Sequence, residues 1–509
     1  MEGKTLNYKG TRDATITTTA AQAIVQGISK DGGLFVPETL PSYSYADLVV
    51  MKGMSYIERA ARVLSDFLPE FSAEEIKECV SAAYAPEKFS GGHPAPVVSV
   101  QNGDTTMNML ELWHGPTCAF KDMALQLLPH LLTHSLKKTK CDKTAVILVA
   151  TSGDTGKAAL EGFKDVENTK ILVFYPENGV SPMQKRQMNT QEGENVSVCA
   201  IEGNFDDAQT GVKRIFVDPA VNEKLNQNGM LFSSANSINW GRLLPQIVYY
   251  FSSYCDLMAK GVLTQEGEKI NIVVPTGNFG NILAGYYAMK MGLPVHKLIC
   301  ASNSNNVLTE FLNTGVYDRN RAFHATISPS MDILISSNLE RLLYDVTGHD
   351  AAKVAGWMQE LNTTGRYQVD DETFAKVKEA FCGAYCDDET TKATIQEVFE
   401  GAGYLCDTHT AVAVNAYQQY VAKTGDKVTP TVVVSTASPY KFADSVLSAV
   451  SNLDHSGMSE FEKVEELARE TKTEIPAPIA GLEQKQVRFQ NRCKKENMSD
   501  VLLQMVHLK

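Results

Sequence analysis

Six short apolar runs limit the fold more than any other feature of the chain: AVILVA from Ala145, ILVFY from Ile171, VSVCAI from Val196, NIVVP from Asn271, KLICA from Lys297 and TVVVS from Thr431. Runs of this kind suit strands covered on both faces, and the helical stretches between them call for parallel strands joined by crossovers. The first three recur about every 25 residues and fit one small open α/β domain, while the later three fit a second. The fold class is therefore α/β. At 509 residues the chain has room for about two to three structural units. The pattern divides it into an N-terminal segment, 1–95, a larger domain drawn from 96–140 and 240–509, and a smaller α/β domain, 141–239.

The N-terminal segment reads as largely helical. In TTTAAQAIVQG the threonines can cap a helix that Gly27 ends, and the amphipathic stretches YIERAARVLSDFL and AEEIKECVSAAY follow before the loop SGGHPAP. Lys plus Arg number 47 against 60 for Asp plus Glu, a net charge of −13, and no basic run with interleaved aromatics is present. That balance argues against a nucleic-acid or anionic-membrane partner, so an anionic substrate must be met by local basic or N–H-rich pockets. No stretch reaches the ~18 apolar residues of a spanning helix and the first residues are polar, which reads as a cytoplasmic protein. Of the ten cysteines only Cys382 and Cys386 are closely spaced, in CGAYC. One such pair without a second is a poor zinc signal, and reduced thiols with no metal site are the better reading.

Two anion-ready turns stand out. PTGNFGN, Pro275 to Asn281, joins the strand NIVVP to the helical stretch ILAGYYAMK. A glycine-rich turn at that junction gathers free N–H groups and the helix dipole at one point, a site for phosphate. Gly277 and Gly280 allow close approach, and Asn278 and Asn281 tolerate tight-turn dihedrals while donating hydrogen bonds. A plain βα turn favours the same residues. TSGDTGKA is no triphosphate loop, because Thr151 replaces the first glycine and Ala158 the final hydroxyl residue. No G-x-G-x-x-G follows a strand, so a dinucleotide is unsupported. TSGDTG itself, Thr151 to Gly156, lies between AVILVA and KAALEGF. It offers the hydroxyls of Thr151, Ser152 and Thr155 to a small carboxylate, or to helix capping alone.

In ELWHGPTCAFKDMALQLL, Lys121 follows an apolar pair and opens an apolar stretch. Desolvation and a helix N-terminus both favour its neutral amine, the form that condenses with an aldehyde; a lysine snorkelling at a helix end is the alternative. His114 reads as a structural hydrogen bonder.

Taken together, these segments resemble the longer class of the threonine synthase family. HGPTCAFKD at His114 to Asp122 resembles its cofactor-lysine motif, ATSGDTG at Ala150 to Gly156 its substrate loop, and GNFGN at Gly277 to Asn281 its phosphate loop. NSINWGR at Asn236 to Arg242, STASPYKF at Ser435 to Phe442 and the early DGGLFVPETLP, Asp31 to Pro41, match in the same order. The resemblance implies a fold-type II pyridoxal 5′-phosphate enzyme, two open α/β domains with the cofactor between them. It implies Lys121 as the cofactor lysine, Gly277, Asn278, Phe279, Gly280 and Asn281 around the cofactor phosphate, and Thr436 facing the pyridine nitrogen. Asp154 would face the cofactor's 3′-oxygen. Ser152 and Thr155 are candidates for the substrate carboxylate, Arg242 for the substrate phosphate, and Asn236 and Ser237 for the rest of that pocket. The family's usual His-Pro-Ala-Lys-Phe stands here as SPYKF, with Ser438 and Tyr440 altered, so no role of that histidine carries over. His409 in DTHTAVA is not an obvious substitute.

On this reading the chain turns O-phospho-L-homoserine and water into L-threonine and phosphate, with Lys121 serving most of the proton transfers. A phospho-lyase releasing 2-oxobutanoate is the alternative that the cofactor motifs leave open. A monomer or small homo-oligomer is implied by the resemblance alone.

Overall fold

The computed structural model describes residues 6–508 apart from Ser152 and Gly179. The N-terminal segment begins with β1 (Tyr8–Gly10), β2 (Thr17–Thr18) and β3 (Phe35–Pro37), an antiparallel sheet in the order β2-β1-β3. This sheet is absent from the helical reading of 1–95, because strands of two or three residues are too short to show a period. The helices follow the sequence signals. Thr19 caps Ala20–Gln26 and Gly27, at φ 71°, ends it. Ser44, Ser55 and Ser72 each form a reciprocal capping box at the start of Tyr45–Lys52, Tyr56–Phe67 and Ala73–Ala83.

The chain then runs through β4 (Val97–Asn102) and β5 (Thr105–Glu111) and crosses to the smaller domain for β6 (Thr144–Ala150), β7 (Thr169–Pro176), β8 (Val196–Glu202) and β9 (Met230–Ser233). It returns for β10 (Ile270–Pro275), β11 (Val295–Ser302), the paired β12 (Val316–Asp318) and β13 (Arg366–Gln368), β14 (Phe381–Tyr385) and β15 (Thr431–Ser435). The larger sheet has the order β14-β11-β10-β15-β5-β4, parallel except for the β4–β5 hairpin at its edge. All six apolar runs are parallel strands, as their composition requires. No helix among the described residues is long and apolar enough to cross a membrane.

The smaller sheet is entirely parallel, in the order β16-β8-β7-β6-β9. Its outer strand, β16 (Arg492–Lys494), comes from far along the chain, and the helix Met498–Met505 after it packs against Phe205–Val217 of the smaller domain. The assignment of 240–509 as a whole to the larger domain is thus corrected for its last stretch. β16 has only three residues, and its position is set by pairing that sequence pattern does not carry.

The helix Trp240–Ala259, buried over most of its length, is wedged between the N-terminal helices and the larger domain. Trp240 meets Tyr8 edge-on at 5.5 Å and Phe67 at 5.7 Å, contacts worth about 0.5–1.5 kcal/mol each beyond area burial. Arg59 pairs with Asp256 at 2.6 Å further along the same helix. The N-terminal segment therefore fixes the helix whose first turn carries Arg242.

A close approach sets the smaller domain's first helix, Asp154–Phe163, against the helix Asp122–Leu125. A Cβ on Gly162 would lie 1.9 Å from the Leu125 carbonyl oxygen. Gly162→Ala gains about 1 kcal/mol of helix propensity but must push that carbonyl away, an overpacking that costs about 1–3 kcal/mol. The thermal unfolding midpoint should fall. A raised midpoint would mean that the two helices have room to part.

Candidate active site

The site forms where loops leave the carboxyl ends of parallel strands, the position that open α/β sheets give to ligands. The loop before Lys121 is stitched to the one after β15. Leu112 N–H donates to Ser435 O (2.9 Å), Phe120 N–H to Thr436 O (2.8 Å) and Ser438 N–H to Cys118 O (3.0 Å). Asp122 is buried and accepts from the backbone N–H (2.8 Å) and hydroxyl (2.7 Å) of Thr117. Gly115 is obligatory there, since a Cβ would fall 2.6 Å from the Asp122 carboxylate. Burial pushes Asp122 up to about 6. His114 takes the structural role expected of it, at 2.8 Å from Glu111.

Lys121 extends over the Phe120 ring, its Nζ 4.7 Å from the centroid. Burial lowers its pKa to about 8, helped by the nearby charges of Arg242 and Lys441 and opposed by Asp154. The neutral amine is thus far more accessible near neutral pH than in a solvated lysine.

Asp154 opens the helix after β6, and both it and Lys441 are buried. Lys441 Nζ lies 2.7 Å from Asp154 Oδ1 and donates to Thr117 O at 2.8 Å. Gln184 Nε2 donates to the same carboxylate at 3.0 Å. Burial alone would raise the Asp154 pKa, but the charges of Lys441 and Lys121 outweigh it and hold the carboxyl well below its usual range. Thr151 spends its hydroxyl within the loop, accepting from Gly153 N–H (3.0 Å) and Gly156 N–H (2.9 Å). Gly153 sits at φ 137° against Gln184. Thr155 follows in the first helical turn, and Ser152 lies outside the described residues.

The turn after β10 differs in detail from its sequence reading. The left-handed residue is Phe279 (φ 63°), whereas neither asparagine takes that conformation. Asn281 uses its Oδ1 to accept from Tyr249 and Tyr250, both at 2.5 Å, and its Nδ2 has no partner. Gly277 is required because a Cβ would meet Ser330 O at 2.7 Å. Asn338 holds the turn by donating from its backbone N–H and its Nδ2 to Asn278 O, both at 3.0 Å. Among the described residues no protein acceptor takes the N–H groups of Gly277 to Asn281, which stand at the start of the helix Gly280–Lys290. Ser330 joins this turn to the other loop, because its hydroxyl lies 3.5 Å from Asp154 Oδ2. His409 braces Ser330 from behind, Nε2 accepting from Ser330 N–H at 3.1 Å and Nδ1 lying 2.7 Å from Asp407.

Arg242 is buried in the first turn of its helix. Its Nη1 donates to Ala235 O at 2.5 Å, its Nε has no partner, and burial lowers its pKa to about 10. Among the described residues no carboxylate forms a salt bridge with it, an arrangement that costs free energy unless an anion arrives. Asn236 and Ser237 lead into this turn half-buried. Thr436 is buried beside the Lys121 loop.

The comparisons agree along the whole chain. Residues 7–84 match the family described as threonine synthase N terminus, 93–379 pyridoxal-phosphate dependent enzyme, and 410–501 threonine synthase, C-terminal. Threonine synthase of Saccharomyces cerevisiae is 37% identical over 91% of this chain and 92% of its own. The chain belongs to the threonine synthase family. Threonine synthase of Pseudomonas aeruginosa is 39% identical over 87% of this chain and 90% of its own. Human threonine synthase-like 1 is 40% identical over 84% of this chain, which spans 58% of that relative's length. Solved threonine synthases from yeast (TM-score 0.87, 34% identity, 98% and 99% of the two chains) and Brucella melitensis, the latter with pyridoxal phosphate bound (0.85, 35%, 98% and 99%), share the fold.

The residues fit that family's cofactor. A row of unmatched N–H groups at a helix start suits a phosphate, Gly277 keeps the approach open, and Lys121 yields its proton more readily than a solvated lysine. Lys441 lies within the STASPYKF motif, where no role is read for it, and His409 is weighed only as a substitute for the family's histidine, while Gln184 and Asn338 carry no sequence signal that would single them out. The departures within SPYKF are local. Ser438 accepts from Tyr440 N–H at 3.4 Å, and the Tyr440 hydroxyl reaches Thr473 O at 2.9 Å, tying down the chain beyond Glu460–Thr471.

Because the neutral amine grows as pH rises, acylation of Lys121 in cofactor-free protein by a small amine reagent should rise with a midpoint near 8. Peptide mass spectrometry from acid to alkaline pH reads it. A midpoint at the ordinary lysine value would remove the electrostatic argument.

Proposed function

We propose that the chain converts O-phospho-L-homoserine and water into L-threonine and phosphate. The observation that carries this reading is Arg242, a buried guanidinium in a helix's first turn, without a carboxylate partner among the described residues and close enough to Lys121 to depress its pKa. A planar two-pronged donor so placed suits a phosphate dianion and eases its departure as a leaving group. Asn236 and Ser237, just ahead of it, complete the phosphate pocket. Ser152 and Thr155 hold the substrate carboxylate, which leaves the substrate's α and β carbons facing Lys121.

Gly277, Asn278, Phe279, Gly280 and Asn281 would hold the phosphate of pyridoxal 5′-phosphate, with Thr436 toward its pyridine nitrogen and Asp154 toward its 3′-oxygen. When bound, this cofactor supplies a sink for the electrons left on the substrate's carbons as protons are removed. Lys121 Nζ takes the proton from Cα and serves the later transfers, a task suited to an amine whose pKa lies near the working pH. A proton is also taken from Cβ, phosphate leaves from Cγ, a proton delivered to Cγ makes the methyl group, the hydroxyl of water adds at Cβ, and a proton returned to Cα completes threonine. Lys441 keeps Asp154 charged, so that Lys121 is the group free to exchange protons. The ten cysteines are all unpaired, which suits a reducing compartment. We place the enzyme in the cytoplasm, as a monomer or small homo-oligomer with neither nucleic acid nor membrane as partner.

Product analysis with O-phospho-L-homoserine should give threonine and phosphate in equal amounts, and 2-oxobutanoate in place of threonine would make the chain a phospho-lyase. Arg242→Lys keeps the charge and loses the fork. It should lower kcat/KM on the phosphate ester by about 2–4 kcal/mol while leaving the cofactor's absorbance and the binding of an amino acid without the γ-phosphate nearly unchanged. Equal weakening of both ligands, or native turnover, would take the substrate phosphate away from Arg242.

A further inference from the structure

The segment DGGLFVPETLP recurs with the site motifs in the sequence yet contributes no group to the site described above. Its strand β3 reaches the site through one side chain. Arg341, on the helix Leu339–Val346, is fully buried. Its Nε donates to Phe35 O at 3.0 Å, its Nη2 to Ile238 O at 2.7 Å and its Nη1 to Asn338 Oδ1. The face of Trp240 lies 5.9 Å from its guanidinium carbon. Each partner belongs to a different part of the molecule. Phe35 is in the N-terminal segment, and Ile238 lies between Ser237 and the turn that carries Arg242. Asn338 is the residue that grips Asn278 O in the turn after β10.

We propose that Arg341 is a positioning residue that sets the two anion-binding segments of the site, the turn Gly277–Asn281 and the approach to Arg242, in register with each other. This rests on the reading of those segments given above. The planar guanidinium sends donors in three fixed directions, and each acceptor is a neutral oxygen that no second donor of that reach replaces. The bond to Asn338 Oδ1 fixes which way that amide faces, so its Nδ2 must point at Asn278 O. The bond to Ile238 O fixes the main chain one residue after Ser237. A lysine can satisfy only part of this set from one nitrogen. Glu340, the preceding residue, performs a separate task by pairing with Arg12 through two bonds, 2.9 and 2.6 Å, which dock the N-terminal segment on the same helix.

The test compares Arg341→Lys, and Arg341→Met where it folds, with Arg12→Ala, which loosens that docking and leaves the Arg341 bonds in place. Cofactor affinity is read by absorbance as holoenzyme is titrated and diluted, and KM and kcat with O-phospho-L-homoserine at saturating cofactor. For Arg341→Lys the cofactor Kd and the substrate KM should both rise about tenfold or more, as loss of buried hydrogen bonds from a charged donor predicts, with kcat changed much less. Arg12→Ala should lower the thermal midpoint and leave both constants near native. Native affinities in Arg341→Lys, or an equal loss of affinity in Arg12→Ala, would overturn the proposal, because Arg341 would then act only through the general docking of the N-terminal segment. The cofactor titration contains no substrate. It therefore decides the matter even if the wild-type enzyme were found to act on a different phosphate ester.

Discussion

The pairing of Lys441 with Asp154 is the contact on which the arrangement of the site depends. The two groups come from different domains, and both are out of water. Removing either partner would leave the other charge buried and alone, a loss of several kcal/mol in typical cases. Lys441 also donates to Thr117, which holds Asp122, so one ammonium ties the loop before Lys121 to the helix after β6. The same ammonium acts through space. Together with Arg242 it disfavours a further positive charge nearby, and Lys121 is the group that yields. Lys121, Lys441 and Arg242 face the two buried carboxylates Asp154 and Asp122, a balance that leans positive when Lys121 is protonated, inside a chain of net charge −13. The local charge balance thus runs against the sign of the molecule as a whole.

Much of this was legible in the residues. The six apolar runs declared parallel strands because strands covered on both faces leave no polar alternation to misread. The two anion-ready turns were visible as glycine- and hydroxyl-rich junctions between a strand and a helix, a pattern shared with plain turns and helix caps that only the joint order of the motifs made specific. Lys121 was marked by its apolar flanks, which are the physical cause of its lowered pKa.

What stayed hidden depends on contacts between distant segments. β1, β2, β3 and β16 are too short to carry a period, and pairing alone defines them. Nothing near His409 in sequence shows that it supports Ser330, 79 residues away, or that Ser330 in turn forbids a side chain on Gly277. Asn278 and Asn281 read as tolerant of tight-turn dihedrals, yet the left-handed residue of the phosphate turn is Phe279, whose ring is buried and packs on Phe381 at 5.6 Å. Tertiary burial there outweighs a local preference of about 1–2 kcal/mol. The changed residues of SPYKF likewise find their reason far along the chain, where Tyr440 meets Thr473.

The late arrival of β16 bears on how the molecule is made. During synthesis, β6 to β9 can assemble as soon as residues up to Ser233 leave the ribosome, but the outer edge of β8 is covered only when Arg492–Lys494 follow, more than 250 residues later. At translation rates of roughly 5–20 residues per second, that edge stays open for tens of seconds, offering unpaired backbone groups to any neighbouring chain. A nascent chain of this design depends on whatever shields β8 in that interval, and truncations that remove β16 would prolong the exposure indefinitely.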